Sequence, residues 1–153
     1  MTEKKGIYLA GLLLLVTLAA AGAQSNDMID QLLSQEVARF DTAAYLILSA
    51  SGHIDESASP AEAVEKLISM KLALKGQKPD GALTVDRMSY ILMKAVGVKG
   101  GIMYTLLPGP HYAYRELGAV EAVETSGGPA RKVSGQEVIR SLRYALELKG
   151  GAK

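Results

Sequence analysis

Two stretches of this chain, residues 63–98 and 113–148, overlay at a constant offset of 50 without a gap. Ala63 meets Ala113, Leu67 meets Leu117 and Met70 meets Val120. Pro79 meets Pro129, Leu83 meets Val133 and Thr84 meets Ser134, and further on Met88 meets Val138, Leu92 meets Leu142 and Ala95 meets Ala145. The matched positions are apolar stripes, a turn proline and a cap, the places that a helix–loop–helix unit constrains. A shorter echo precedes them: Asp41–Gly52 parallels Asp86–Gly97, with Tyr45 on Tyr90 and Ala50 on Ala95. A repeated amphipathic hairpin cannot bury its apolar face alone and must stack on its copies. Two and a half units predict an all-α, compact globule, not an extended solenoid. The full units should be related by a pseudo-two-fold or similar rotation, and Leu67, Leu92, Leu117 and Leu142 should meet in one core.

The local signals supply the elements. Residues 28–51 carry Ile29, Leu32, Leu33, Val37, Phe40, Ala44 and Ile47 at helical spacing, as one long helix or two with a break near Asp41, stopped by Gly52. Ser59-Pro60-Ala61-Glu62 reads as a capping box with proline at the first helical position, and Ala63, Val64, Leu67, Ile68 and Leu72 form the stripe behind it. Thr84 is placed to cap a third helix bearing Asp86 in its first turn and Met88, Ile91, Leu92 and Ala95 as its stripe, ended by Gly97. Residues 99–111, with Gly100-Gly101 and Pro108-Gly109-Pro110, read as an irregular connector. A fourth helix is expected through Ala113, Leu117, Val120 and Val123, and a second capping box at Ser134–Glu137 opens the last one. Short extended pieces fit only at Leu83 and Val133. The organisation expected is a signal peptide over 1–23, an N-terminal helix or helix pair over 24–58 and a first unit over 59–98. The connector 99–111, a second unit over 112–148 and a tail over 149–153 follow.

The N-terminus sets the compartment. Lys4 and Lys5 precede an apolar run from Ile7 to Ala20, and Ala21-Gly22-Ala23 offers the small residues a signal peptidase accepts. Export to the periplasm or the medium is expected, with the mature chain starting at Gln24; the alternative is an uncleaved anchor. From Gln24 onward there are 15 basic and 15 acidic residues. That neutrality argues against nucleic acid and against an anionic membrane surface. No later apolar run is long enough to cross a bilayer, so no membrane insertion is expected after cleavage. The chain has no Cys, so packing alone must stabilise it in an oxidising compartment.

Pro79-x-x-x-Leu83-Thr84-Val85-Asp86-Arg87-Met88 and Pro129-x-x-x-Val133-Ser134-Gly135-Gln136-Glu137-Val138 resemble the second half of S-layer homology modules. Such a module is a helix, a loop ending in proline and a helix opening with Ile-Thr-Arg-Ala-Glu-Phe. The resemblance covers roughly residues 60–148, and Glu137 falls on the family's acidic position. It implies a helical repeat architecture and, where three modules cooperate, binding of a wall polymer. The arginine that follows the family's threonine, part of its pocket, is replaced here by Val85 and Gly135. The aromatic of its glycine- and aspartate-containing loop is missing as well.

Catalytic signatures are sparse. Without Cys and without a Gly-x-Ser-x-Gly elbow, the usual nucleophiles are missing. His53 and His111 both fall in expected loops, with no ligand partner at metal spacing, and read as solvated histidines. Lys78 and Arg87 occupy positions where a calcium loop would need oxygen donors. No cofactor or metal is expected. One segment stands apart: Tyr104, His111, Tyr112, Tyr114 and Arg115 cluster around Pro108-Gly109-Pro110. Tyr and Arg pair apolar area with a polar tip and are favoured at binding hot spots. The expected function is an exported, non-enzymatic envelope module that binds a partner protein or cell-wall polymer through these five residues. The alternatives are a structural subunit of an envelope assembly and a small enzyme using His111. In a purely structural reading, Ile102, Met103, Leu106 and Leu107 pack the crossing between the units and the tyrosines fill gaps.

Overall fold

The structure, a computed structural model, describes residues 26–151 and is all-α, with seven helices and no strand among them. The expected signal peptide lies outside these residues. Helix α1 covers 26–33, α2 Phe40–Ala50, α3 Pro60–Ser69 and α4 Val85–Leu92, which continues as a single π-helical turn over Met93–Gly97. Then come α5 Ile102–Leu106, α6 Pro110–Ala119 and α7 Gly135–Gly151. The N-terminal stretch is thus two helices, broken just before Asp41. Helix α2 is buried on nearly every side, from Phe40 to Leu48, and packs chiefly on α3, while α4 packs on α6.

Three extended residues hold the helices together. The Ala38 N–H donates to the Val133 carbonyl at 2.8 Å, the Leu83 N–H to the Ala38 carbonyl at 2.9 Å and the Val133 N–H to the Leu83 carbonyl at 3.1 Å. These bonds close a ring, and all three residues are fully buried. Buried backbone groups must be paired, and the ring pairs them without a sheet. A second set follows the same cycle. The first N–H of α2 (Phe40) donates to the Gly81 carbonyl at 2.9 Å, that of α4 (Val85) to Arg131 at 2.9 Å and that of α7 (Gly135) to Gln35 at 3.0 Å. Each helix start is capped by the loop of the next hairpin. The hairpins α1–α2, α3–α4 and α6–α7 are therefore arranged as a cycle of three, rather than as two units about a two-fold.

This arrangement explains two corrections. Thr84 does not cap α4: its hydroxyl donates to Asp86 Oδ1 at 2.6 Å. Of the two N–H groups that a cap would serve, that of Asp86 donates to the Pro129 carbonyl at 3.2 Å and that of Arg87 to Asp86 Oδ1 at 2.8 Å. Ser134 forms half a capping box, accepting from the Glu137 N–H at 3.2 Å. Its partner Glu137 is drawn away to Arg131, which it meets bidentately at 2.7 and 2.8 Å. At Ser59 no such competitor exists, and the box is complete: the Ser59 N–H donates to Glu62 Oε2 at 2.6 Å and the Glu62 N–H to Ser59 Oγ at 3.3 Å.

Helices α3 and α6 end alike. Lys71 and Glu121, fifty residues apart, both take the left-handed conformation at φ 58°. Leu72 and Ala122 then donate back to Leu67 and Leu117, each at 2.8 Å. Helix α6 therefore stops at Ala119, before Val120 and Val123. Leu67, Leu92, Leu117 and Leu142 all lie in the one buried cluster. Leu33, Val37, Ile68 and Val120, which fit the apolar stripes by spacing, are exposed. Helix α3 buries only Ala63 and Leu67 because it lies on one side of α2 and needs a narrow contact line. Helix α7 continues past Leu148, so most of the expected tail is helical.

Candidate functional site

The segment 99–111 is not an irregular connector. After Gly100 and Gly101 the chain forms α5, and Gly109 leads into α6 with Pro110 at its first position. A proline there has its fixed φ already suited to the helix and gives up no bonded N–H. His111 is consequently helical, not a loop residue. His111 and Arg115 are exposed and one turn apart, which sets them on one face of α6. Tyr112 is half-buried beside them, its ring edge-to-face with His111 at 5.4 Å between centroids and 79° between planes.

The other two tyrosines turn inward. Tyr114 is buried, and its hydroxyl donates to the Thr125 carbonyl at 2.8 Å. Tyr45 makes the same bond to the Glu56 carbonyl at 2.7 Å, also eleven residues ahead. Both are staples that hold the loop after a helix. Tyr104 is the one buried residue of α5. Its ring packs so closely on Gly100 that a Cβ there would lie 2.5 Å from Cδ1, and the Lys94 ammonium sits 5.5 Å above its centroid. The Tyr104 hydroxyl is buried with no hydrogen-bond partner. Burial, with Tyr90 nearby as a second cause, pushes its pKa up to about 12. The five expected residues thus separate into a surface group, His111, Tyr112 and Arg115, and two internal anchors.

The orphaned hydroxyl yields a prediction. In the unfolded chain this phenol ionises near its ordinary pKa of about 10, whereas in the fold it stays neutral until about 12. Its contribution to stability is intact below about pH 10 and is lost as pH rises from 10 toward 12. Tyr104→Phe should flatten that alkaline decline. At pH 7 it should leave the denaturation midpoint unchanged or slightly raised, by up to about 1 kcal/mol, because a buried unpaired polar atom is removed. Urea titrations of both proteins at pH 7 and 11 check this; an equally steep decline in the variant refutes it.

The remaining sequence candidates resolve as follows. His53 is not a solvated loop residue: its Nε2 lies 2.8 Å from the Ala95 carbonyl, tying the loop after α2 to the π turn. Among the described residues no group of three or more His, Asp and Glu is placed to hold a metal. Ile102, Met103, Leu106 and Leu107 do not pack the crossing: they are 79%, 51%, 69% and 56% exposed. The π turn carries no sequence signal, yet it lines a cleft of about 280 Å³ whose walls combine the apolar Met93, Val98, Leu117 and Leu148 with the charged Lys99, Glu116 and Lys149.

Val85 and Gly135, where the resembling modules carry arginine, are both buried at the ring of helix starts. No protein-family model, curated protein or solved structure matches the chain.

Proposed function

We propose that this chain is an exported, non-enzymatic module of the cell envelope. In this reading it binds a partner protein or wall polymer through the face of α6 formed by His111, Tyr112 and Arg115. The supporting observation is that these three side chains share one accessible face while Tyr104 and Tyr114 are fixed inside. The face offers a guanidinium, an imidazole and a half-exposed phenol, donors and π surface suited to recognition. Pro108 and Pro110 stiffen the approach to α6, which lowers the entropy lost on binding. The signal-like N-terminus supports export. The resemblance to S-layer homology modules supports a repeat architecture in the envelope. Its pocket arginine has no counterpart at Val85 or Gly135, so the binding role falls to α6.

The test is the double substitution Tyr112→Ala with Arg115→Ala. Envelope extract and purified wall sacculi serve as parallel baits. Binding to one of them should drop at least roughly tenfold, since each hot-spot truncation costs on the order of 1–2 kcal/mol. Arg115 is exposed, but Tyr112 is half-buried and packs against the core, so the variant should lose on the order of 1–2 kcal/mol of stability while staying folded. Undiminished binding by the variant overturns the assignment.

A further inference from the structure

We infer that α5 docks on the surface of an anionic phospholipid bilayer, with Ile102, Met103, Leu106 and Leu107 entering the headgroup boundary and Lys94 and Lys99 meeting the lipid phosphates. This goes beyond the partner-binding role given to α6, and it rests on different residues.

The first observation is the exposed face itself. Positions 102, 103 and 106 make one side of α5 and Leu107 follows directly after its last residue, all four more than half exposed. Tyr104 alone pins the opposite side into the domain. Scattered exposed apolar residues are ordinary, but a contiguous group on one short element marks a contact surface.

The second observation is charge. From Arg87 to Arg115 the chain carries four cations, Arg87, Lys94, Lys99 and Arg115, and no carboxylate. The rest of the chain has thirteen cations against sixteen carboxylates. Whole-chain neutrality, the ground for setting an anionic membrane aside, is therefore a sum over two unlike parts. Lys94 and Lys99 line the same recess as Tyr104, Thr105 and Pro108, so they flank α5 in space as well as in sequence. Both are exposed. Two lysines flank α5, and one carboxylate, Glu116, lies against Gly101 at its start. An aliphatic wedge with a net excess of cations beside it is the composition of an element that lies in the membrane interface.

The same features disfavour other occupants. The outward tips of α5 are aliphatic, with no aromatic or guanidinium anchor among them, and lysine is depleted in protein interfaces. A second copy of this chain would set like charges against each other across a symmetric contact. No helix among the described residues is long and apolar enough to cross a membrane, so the contact is peripheral.

The absence of cysteine allows a direct test in the full chain. An environment-sensitive fluorophore is placed on Leu106→Cys and, as a reference, on Ala130→Cys, an exposed loop position. The vesicles are either equimolar phosphatidylglycerol and phosphatidylcholine or phosphatidylcholine alone. The label at 106 should shift to the blue and be quenched by lipid-borne quencher on the anionic vesicles, while the label at 130 should not respond. Each cation within reach is worth roughly a fivefold preference for anionic lipid, so Lys94→Glu with Lys99→Glu should weaken the response at least tenfold. Ile102→Ser with Leu107→Ser, which alters only exposed side chains, should also weaken it. No shift at 106 on anionic vesicles overturns the proposal. So does an equal shift on neutral vesicles that survives charge reversal, the outcome expected if the N-terminal apolar run alone carried the chain to lipid. Shielding of position 106 by lipid-free envelope protein, without a vesicle response, overturns it in favour of a protein partner. The sacculus and extract assay with the α6 variants is read separately, so either idea can fail alone.

Discussion

Gly135→Ala should unfold the domain or bring it close to unfolding. Gly135 is the first residue of α7, and a Cβ built on it falls 1.6 Å from the Leu32 carbonyl oxygen, 2.5 Å from the Leu32 carbonyl carbon and 3.2 Å from Leu32 Cγ. The obstacle is mostly backbone, which cannot rotate away as a side-chain tip can. Relief requires separating α1 from α7, and that also pulls apart the Gly135 N–H to Gln35 carbonyl bond at 3.0 Å. Overpacking costs about 1–3 kcal/mol when side chains can adjust, and a lost buried hydrogen bond adds about 1–3 kcal/mol. The expected loss is thus on the order of 2–6 kcal/mol, against a total of about 5–15 kcal/mol for a domain of this kind. Gly150→Ala, in open space near the end of the same helix, is the control and should be neutral or slightly stabilising. Denaturant titration of both variants checks this. A Gly135→Ala midpoint within about 1 kcal/mol of wild type would mean that α1 does not seat on α7.

Leu92→Ala should cost about 2–5 kcal/mol, with Leu142→Ala at the lower end of the same range. Leu92 is fully buried at the last turn of α4 and belongs to the cluster that also holds Leu67, Leu117 and Leu142. Its neighbours come from several helices tied by the backbone ring, so they cannot collapse far into the space a truncated side chain leaves. Leu142 retains 5% exposure, which softens its loss. Ile68→Ala, on the exposed side of α3, should change stability by less than about 0.5 kcal/mol. Urea unfolding with an unchanged m value separates a stability loss from a change in the unfolded state. If Leu92→Ala behaves like Ile68→Ala, the core assignment is wrong.

The residues themselves determined every helix but α5, and that Leu67, Leu92, Leu117 and Leu142 go inside. Apolar spacing, the Ser59-Pro60-Ala61-Glu62 start, the stop at Gly52 and the offset of 50 are all local, written within a few residues, and helix formation obeys local rules. The partner-site residues were legible only as a group: Tyr104, Tyr112 and Tyr114 look alike in sequence, and only the fold turned one outward and two inward. What the tertiary structure decided was competition for backbone groups. Thr84 lost its capping role because the Pro129 carbonyl of a distant loop takes the Asp86 N–H and the Asp86 carboxylate takes both the Arg87 N–H and the Thr84 hydroxyl. Glu137 left Ser134 for Arg131 because a guanidinium offers two charge-assisted bonds where a backbone N–H offers one. Ile68 and the outer face of α5 satisfy the helical period as well as any core residue does. Whether such a face is covered depends on what lies across from it, and that neighbour is set by the closing of three hairpins into a ring.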